Sequence, residues 1–300
     1  MPPPRASAPT VTTPGPEVAA LRGALRRARG SLARDLPWIG CRDPWSVLVA
    51  EVMLQQTSTG RVAQHWEPFL QRFATPAACA ASTQSEVVAQ WVGLGFNRRA
   101  QSLHRAAVVI EQRHGGRVPS TVDELVALPG LGPYSARAVA SFAFGRAVGV
   151  VDTNAGRVLA RAVANARLAP AGAQALADRL VAGVASAPVN QSLLDLGAQF
   201  CRARPRCEDC PARAACRWRR AGGPDPARGS AGVTQAQAPF AGSGREMRGA
   251  LVRALRDGPR SRRTLRARVG APDGRFEAAL VALEREGLIE VAGRQIRLRA

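Results

Sequence analysis

The chain has 300 residues, 46% of them hydrophobic, which is enough for a globular core and for one or two domains. Its 42 basic residues are all arginines against 22 acidic residues, and the formal net charge of +20 is typical of proteins that bind nucleic acid. A basic surface that serves only solubility is the alternative. No apolar run reaches the roughly 18 residues of a membrane span and no signal peptide is evident. We therefore expect no membrane partner and a cytoplasmic protein, associated with the nucleoid if bacterial.

The chain is predicted to be mainly α-helical. Residues 1–16 hold six prolines among Ser, Thr and Ala and are predicted to be a disordered tail. Between residues 17 and 220, apolar residues recur at spacings of three and four, as in EVAALRGALRRA, which predicts helices and no strand. Segment 221–240 is rich in Gly, Pro, Ala and Gln and is predicted to be a linker.

Residues 241–300 are predicted to form a small winged-helix-like domain. Three short helical patterns precede two strand-like runs, LIEV and QIRLR, and Gly293 lies in the turn between them. Such a module can contact DNA, and a packing or protein-contact module of the same shape is the alternative. Five of its residues form a basic series: Arg260, Arg262, Arg263, Arg266 and Arg268.

An acidic residue lies inside the most apolar helical pattern of the chain. The segment DPWSVLVAEVMLQQT predicts a helix that is apolar almost all round, with Glu51 inside it and Gln55 one turn later. A carboxylic acid among apolar neighbours has a raised pKa, which is the condition for a general acid at neutral pH. A buried glutamate paired with an arginine is the alternative.

The segment DELVALPGLGPYSARAVASFAFG predicts two helices joined by a hairpin. The first helix ends at Leu128-Pro129, the turn is Gly130, Leu131 and Gly132, and the second helix begins near Pro133. Glycines let a phosphate approach the backbone, and the N-terminus of the second helix offers N–H groups and a positive dipole end. The pattern predicts a hairpin that binds the DNA backbone, with a plain helix-helix turn as the alternative.

Asp152 follows an apolar run and precedes a new helical pattern, twenty residues after Gly132. An aspartate at that position is an ordinary helix N-cap. Capping is compatible with chemistry, because a carboxylate near a phosphate-binding hairpin would face the sugar of a bound nucleotide. Asp152 is therefore a candidate catalytic residue.

Four of the six cysteines fall within one short segment, with five, two and five residues between them. Four thiolates in so short a loop favour a [4Fe-4S] cluster over structural zinc, which usually takes two separated pairs. Cys41 and Cys79 stand apart and are predicted to be small buried side chains. The clustered residues are Cys201, Cys207, Cys210 and Cys216.

Several motifs in a fixed order resemble one family. EVMLQQT, WVGLGF, LPGLGPYSA, VDTNAGRVLAR, NQSLLDLGAQFC and the clustered cysteines closely resemble the adenine DNA glycosylases of the helix-hairpin-helix superfamily, from about residue 36 to 216. The resemblance implies a hairpin subdomain at about 37–147 and a cluster subdomain at 17–36 plus 148–220, with the active site between them. It also implies a monomer that flips and excises adenine mispaired with guanine or 8-oxoguanine in double-stranded DNA.

The resemblance also assigns site residues. Glu51 would protonate the adenine ring and Asp152 would stabilise, or briefly bond to, the oxocarbenium-like sugar, as two carboxylates do in glycoside cleavage. Tyr134 and Asn154 would help to hold the sugar and the catalytic aspartate. The other side chains would contact the base or fill the gap that it leaves: Trp38, Leu54, Gln55, Gln56, Thr57, Leu94, Phe96 and Gln191.

The absence of lysine predicts how the reaction ends. Relatives of the endonuclease III type use a lysine at the position of Tyr134 to form a Schiff base that leads to strand cleavage. A chain with no lysine is expected to use water as the final nucleophile and to leave the abasic site uncut.

The chain departs from the family pattern at several positions. The spacing of the first two clustered cysteines is five residues where six are usual. Ile39 stands where many relatives have a polar residue near the adenine, and Phe96 replaces a tyrosine. The last sixty residues are too short for the Nudix-like domain with which longer relatives read 8-oxoguanine.

Two rival functions stay open. The first is a mismatch thymine or uracil glycosylase of the same superfamily, against which the QQT after Glu51 argues. The second is a non-enzymatic iron-sulfur regulator that binds DNA through its winged helix.

Overall fold

The computed structural model describes residues 15–230, 240–270 and 273–299. The first fourteen residues of the predicted tail lie outside these ranges, and the first helix begins at Pro16. Fifteen α-helices are present in the described residues: α1 (Pro16–Leu32), α2 (Pro44–Leu54), α3 (Thr59–Arg72), α4 (Pro76–Ala80), α5 (Gln84–Gln90), α6 (Arg98–His114), α7 (Val122–Val126), α8 (Pro133–Phe142), α9 (Thr153–Val158), α10 (Pro170–Val181), α11 (Ser186–Gln199), α12 (Arg217–Ala221), α13 (Gly244–Leu255), α14 (Arg262–Val269) and α15 (Asp273–Arg285).

Three short strands complete the secondary structure of the described residues. They are β1 (Arg260–Ser261), β2 (Ile289–Ala292) and β3 (Gln295–Leu298). A π-helical turn at Leu159–Ala164 continues α9, and a 3-10 turn lies at Arg213–Ala215. The predicted mainly helical fold is confirmed, and residues 15–230 contain no strand.

The Cα positions divide the chain into two compact units. The cysteine unit consists, in its described part, of residues 15–35 and 140–230, and the hairpin unit of residues 36–139 and 240–299. In the described part of the chain, no helix combines the length and the apolar character needed to cross a membrane.

The cysteine unit has a core of aliphatic side chains. Helix α1 contributes Leu21, Leu25 and Leu32, each at most 1% exposed, which pack with Leu180 of α10 and Leu193 of α11 in one buried cluster. Burial of each leucine contributes about 2 kcal/mol. Because α1 shares this core with α10 and α11, the unit is built from two distant segments of the chain.

The first half of the predicted linker packs against the cysteine unit. The buried Arg161 forms a salt bridge of 2.6 Å with Asp225. Arg167 donates to the Gly229 carbonyl at 2.7 Å, and the Ser230 hydroxyl accepts from the Leu168 N–H at 3.0 Å. Residues 225–230 are thus held in place, while residues 231–239 of the predicted linker lie outside the described residues.

Helix α2 lies in the core of the hairpin unit. Asp43 caps it by accepting from the Ser46 N–H at 2.8 Å, and Pro44 occupies the first turn, where its missing N–H costs nothing. Every residue from Trp45 to Met53 except Ser46 is buried. The Trp45 indole donates to the Phe73 carbonyl at 2.9 Å, so even the polar edge of this side chain is satisfied.

Residues 240–270 and 273–299 of the hairpin unit form the C-terminal module. Helices α13, α14 and α15 pack on an antiparallel sheet with the order β1-β3-β2, and Gly293 adopts a φ of 61° in the turn between β2 and β3. The two predicted strands are confirmed. Strand β1 was not predicted, because two residues carry no alternation of polar and apolar side chains.

The C-terminal module is fixed to helices of the same unit. The Gly287 carbonyl accepts from Gln84 Nε2 of α5 at 3.1 Å and from Gln101 Nε2 of α6 at 2.8 Å. Two of the arginines in the predicted basic series are engaged within the module. Arg262 pairs with Glu277 at 2.7 Å, and the Arg266 guanidinium lies 5.9 Å from the centre of the Phe276 ring.

Candidate active site

Both carboxylate oxygens of Asp152 are held. Oδ1 accepts from the Ala155 N–H at 2.7 Å, which is the N-cap of α9, and Oδ2 accepts from Asn154 Nδ2 at 2.7 Å. Desolvation by the surrounding protein raises the pKa of Asp152, and these two hydrogen bonds, with the charge of Arg157, oppose the rise. The carboxylate is therefore fixed in orientation, and these groups offset part of the cost of ionising it in the folded protein.

Arg157 extends this network to the cysteine loop. Its Nη2 donates to Asn154 Oδ1 at 2.6 Å and to the Gly197 carbonyl at 3.1 Å, and its Nε donates to the Cys201 carbonyl at 2.7 Å. A Cβ on Gly197 would lie 2.6 Å from the Asn154 carbonyl oxygen, so only glycine allows α11 to approach α9 this closely. A continuous hydrogen-bonded path thus joins Asp152 to the first cysteine of the loop.

The four clustered cysteines lie in one loop and are all partly buried. Arg161 Nη1 lies 3.3 Å from Cys201 Sγ, and desolvation raises the pKa of Cys201 and Cys216 and that of Cys210 to about 11. Cys210 interacts electrostatically with the other three thiols. Among the described residues, no group of three or more His, Cys, Asp or Glu side chains is arranged around a position for one metal ion. Four sulfur donors in one loop are the donor set that an iron-sulfur cluster takes.

The two isolated cysteines differ from each other. Cys79 is fully buried, and desolvation raises its pKa to about 12, as predicted for a small core side chain. Cys41 is only half-buried. The prediction of burial is therefore confirmed for Cys79 alone.

The loop that leads into Asp152 is anchored by the buried Asn190 of α11. Its Nδ2 donates to the Val148 carbonyl and to Ser141 Oγ, each at 2.9 Å, and its Oδ1 accepts from the Val150 N–H at 3.1 Å. Asn190 is 0% exposed. Because its amide reaches both sides of the loop, Asn190 fixes the backbone two residues before Asp152.

The next residue of α11, Gln191, is held by a carboxylate. Its Nε2 lies 3.1 Å from Oδ1 and 3.0 Å from Oδ2 of Asp195, one helical turn later. Arg34 Nε donates to the same Oδ1 at 2.5 Å. Asp195 is 2% exposed, so its buried carboxylate accepts hydrogen bonds from both Gln191 and Arg34.

In the hairpin unit, the predicted burial of Glu51 is confirmed, since only 5% of the residue is exposed. Gln55, at the C-terminus of α2, donates from Nε2 to the Gly130 carbonyl at 3.0 Å and to Ser135 Oγ at 3.1 Å. Its amide thus connects the helix of Glu51 to the hairpin. Leu54, Trp38 and Tyr134 are half-buried, and Trp38 meets Trp66 edge to face with 6.3 Å between ring centres.

The hairpin has the predicted form with one shifted boundary. Helix α7 ends at Val126, two residues before the predicted Leu128, whereas α8 begins at Pro133 as predicted. Gly130 has a φ of 84°, and a Cβ there would lie 2.5 Å from the Ser102 Cβ. The Leu131 side chain is buried, so the exposed surface of the turn is the backbone at Gly130 and Gly132.

Arg99 organises the two loops of the predicted wedge. Its Nη1 donates to the carbonyls of Val52, Met53 and Gln55, and its Nη2 to Thr57 Oγ1 and the carbonyls of Leu94 and Gly95. The side chain is buried, and desolvation lowers its pKa to about 10, so it stays charged at neutral pH.

Two residues of these loops have an unusual backbone. Gln56 has a φ of 57° and Phe96 a φ of 49°, a conformation that costs a non-glycine residue of order 1 kcal/mol or more. Gln56 is exposed and Phe96 half-buried, whereas Leu94 is only 1% exposed. The structure therefore does not present the Leu94 side chain to a ligand, because it fills space beneath the loop.

Comparison with known proteins identifies the family. Residues 49–181 match the HhH-GPD superfamily of base excision DNA repair proteins. The adenine DNA glycosylase of Mycolicibacterium smegmatis is 42% identical over 267 residues, which are 86% of this chain and 88% of that protein. The chain belongs to the adenine DNA glycosylase family.

Two further comparisons place the adenine DNA glycosylase family within a wider fold. The thymine-DNA glycosylase of Aeropyrum pernix is 35% identical over 192 residues, 61% of this chain and 86% of that protein. The solved structure of a thermostable thymine-DNA glycosylase aligns with a TM-score of 0.64 at 29% identity and covers 68% of this chain and 97% of that one. The fold is thus shared by glycosylases of different named specificity.

The sequence alone did not reveal the residues that position the candidate site of this adenine DNA glycosylase. Arg99, Arg157, Asn190 and Asp195 each bond to a predicted site residue or to its loop. In a chain with 42 arginines, type alone does not single out Arg99 or Arg157. The position of Arg157, three residues after Asn154 in a helix, is a usable signal, since such residues share a helical face.

Proposed function

We propose that this chain is a monofunctional adenine DNA glycosylase that removes adenine mispaired with guanine or 8-oxoguanine and leaves an uncut abasic site. The observation that carries the proposal is the Asp152 carboxylate, whose two oxygens are fixed by Ala155 and Asn154 in a chain of this family. A positioned carboxylate of this kind stabilises a positively charged sugar.

Glu51 supplies the proton. Glu51 is only 5% exposed on an otherwise mostly apolar helix, and a carboxylic acid held in such a position suits the role of a general acid. Glu51 donates this proton to the adenine ring, and the bond between base and sugar breaks with its electron pair moving onto the base. Adenine then leaves as a neutral molecule.

Asp152 stabilises the positive charge that develops on the sugar. Water adds to the anomeric carbon and gives up a proton to a carboxylate, which restores the proton that Glu51 donated to the base. Tyr134, at the start of α8, helps to hold the sugar. Because the chain has no lysine, no amine is present to form the Schiff base that precedes strand cleavage.

DNA is bound by the hairpin and by the wedge loops. The exposed backbone at Gly130 and Gly132 and the N-terminus of α8 suit a phosphate. Gln56, Thr57 and Phe96 enter the duplex where the adenine has left the stack, while Leu94 supports the loop from beneath. The protein acts on double-stranded DNA as a monomer.

The cysteine loop holds a [4Fe-4S] cluster through Cys201, Cys207, Cys210 and Cys216. The four thiols interact electrostatically in one partly buried loop, which suits this donor set in spite of the short first spacing. When bound, the cluster would cross-link the loop. Iron and sulfide content of protein purified without oxygen tests this assignment, and a Cys207→Ser variant that keeps the full iron content would contradict it.

A glycosylase assay tests the function. Duplexes with adenine opposite each of the four bases and opposite 8-oxoguanine are incubated with the protein and then treated with alkali to reveal abasic sites. We expect adenine release opposite guanine and 8-oxoguanine and strand breaks only after alkali. Thymine release from a T:G duplex with intact adenine would favour the thymine glycosylase instead, to which the 35% identity with the Aeropyrum pernix enzyme gives some support.

The Asp152→Asn variant separates an enzyme from a DNA-binding regulator. It is expected to retain duplex binding and to lose base release by at least about a hundredfold. Unchanged base release in this variant would refute the role of Asp152.

A further inference from the structure

The amide of Gln191 has a defined orientation. Nε2 lies within hydrogen-bond distance of both oxygens of Asp195, and an ionised carboxylate can only accept. The amide therefore turns its NH2 group to Asp195 and its carbonyl oxygen, Oε1, away from it. Within the described residues, no group donates to Oε1.

Arg34 binds one oxygen of the same carboxylate. Its Nε donates to Asp195 Oδ1 at 2.5 Å, and a guanidinium has donors only. Asp195 is 2% exposed, so solvent does not compete strongly for its oxygens. Arg34 and Gln191 therefore both donate to Asp195, and the Asp195 carboxylate only accepts.

Gln191 also lies on the helix that borders the Asp152 loop. The preceding residue, Asn190, bonds to Val148 and Val150, and Gly197 further along α11 packs against Asn154. Both ends of the Asp152 segment therefore contact α11. The Gln191 amide is partly exposed on this helix, at the position that the family resemblance assigns to the adenine.

We propose that Asp195 is a specificity-determining positioning residue, which turns the Gln191 carbonyl oxygen toward the base so that it accepts a hydrogen bond from an exocyclic amino group. The inference rests on the proposed function, because the base in question is the one excised. Adenine carries an amino group at carbon 6, where hypoxanthine carries a carbonyl. A carbonyl opposite Gln191 Oε1 would place two acceptors together and leave both unsatisfied.

Asp195→Asn is expected to reverse the orientation of the Gln191 amide. Arg34 still requires an acceptor, so the oxygen of the new amide takes the place of Oδ1 and its NH2 group that of Oδ2, which lies 3.0 Å from Gln191 Nε2. Gln191 then turns its own carbonyl to that NH2 group and presents Nε2 to the base. Hypoxanthine becomes the matched partner and adenine the mismatched one.

The experiment measures single-turnover base release from duplexes that differ only in the excised base: adenine, hypoxanthine or unsubstituted purine. Each rate is compared between the wild-type chain and the variant, so intrinsic differences in bond strength cancel. We expect Asp195→Asn to lower the ratio of adenine to hypoxanthine release by at least about tenfold. The matched control, Arg34→Gln, removes the cation beside Asp195 but leaves the Asp195 carboxylate, and its ratio should stay within about twofold of the wild type.

The failure of this inference can be distinguished from the failure of the proposed function. If the wild-type chain releases no adenine, the proposed function fails. If it releases adenine and the folded Asp195→Asn variant keeps the wild-type ratio, the inference fails. Should circular dichroism show that this variant is unfolded, Gln191→Leu decides the matter: adenine should then lose its advantage over purine, and a retained advantage overturns the inference.

Discussion

The guanidinium of Arg99 donates a hydrogen bond of 2.9 Å to the Thr57 hydroxyl. The same hydroxyl donates to the Leu94 carbonyl at 3.2 Å, so one arginine and one threonine join the end of α2 to the loop before α6. Each of these loops contains a non-glycine residue with positive φ, Gln56 and Phe96. Arg99 therefore holds together the two segments that carry the strained backbone.

Arg99→Met is expected to destabilise the protein by on the order of 3 kcal/mol, because several buried carbonyl oxygens lose their donor. Base release from a duplex should fall more than release of adenine from a single-stranded bulge, since only the duplex has to be opened by the wedge loops. Denaturant unfolding and single-turnover assays measure the two effects. Arg98→Met, at an exposed neighbouring position, is the control. Equal losses on both substrates would argue against a role in opening the duplex.

The two hairpin glycines are expected to differ in their tolerance of a side chain. At Gly130 a Cβ would lie 2.5 Å from the Ser102 Cβ, and the φ is 84°, whereas at Gly132 no atom lies within 4 Å. Gly130→Ala should therefore distort the turn and weaken duplex binding by at least about tenfold, or about 1.4 kcal/mol. Gly132→Ala should bind more tightly than Gly130→Ala in a fluorescence anisotropy titration. The reverse order would show that the turn does not bind DNA through its backbone geometry.

Asn154→Ala is expected to move the acid limb of the pH profile. The hydrogen bond from Asn154 lowers the pKa of Asp152 against the desolvation that raises it, so its loss raises that pKa further. Base release requires the ionised carboxylate, and the rate should therefore begin to fall at a higher pH than in the wild type. Single-turnover rates across the acid range measure the shift. An unchanged acid limb would mean that the Asp152 carboxylate does not control the rate there.

Asp152→Asn is expected to increase thermal stability. The pKa of Asp152 is raised in the folded state, so the folded protein prefers the uncharged form, and the destabilisation by the charge is relieved as pH falls through the folded pKa. Asparagine is uncharged at every pH and keeps the N-cap of α9. The melting temperature at neutral pH should rise, and the difference from the wild type should shrink on acidification. A lower melting temperature at neutral pH would contradict this interpretation.

Gln101→Leu is expected to loosen the C-terminal module. The buried Gln101 amide donates to Gly287, and its loss leaves that carbonyl with the single donor Gln84. Hydrogen exchange of residues 284–288 should accelerate, with a destabilisation of about 1–2 kcal/mol. Gln112→Leu, exposed on the same helix, is the control. Unaltered exchange in the Gln101 variant would show that the module is held by other contacts.

Helices and strands with local signals could be predicted from the sequence. Apolar spacing indicated α1, and the Gly-Leu-Gly-Pro turn indicated the start of α8. The packed segment 225–230 could not be predicted, because it depends on the pair of Arg161 with Asp225, 64 residues away. A Gly- and Pro-rich segment has the composition of a linker whether or not one of its residues forms an ion pair with a distant part of the chain.

Candidate site residues could be predicted from the sequence where a residue type is unusual for its position. Glu51 stood out as an acid in an apolar helix, and its burial is confirmed. Asp195 did not stand out, because an aspartate one turn after a glutamine has no pattern of its own. Its significance depends on Arg34, which lies 161 residues earlier. The buried residues that orient a site are therefore harder to predict than the residues they orient.

The division of the cysteine unit between two chain segments affects the order in which the protein can fold during synthesis. Helix α1 is synthesised before the helices that its leucines pack against, which begin at residue 153 or later. The intervening residues 36–139 leave the ribosome before any of those partners exist. Until α9 and the helices after it have emerged, Leu21, Leu25 and Leu32 lack these partners, and the nascent chain exposes a leucine-lined face of α1 that chaperones can bind.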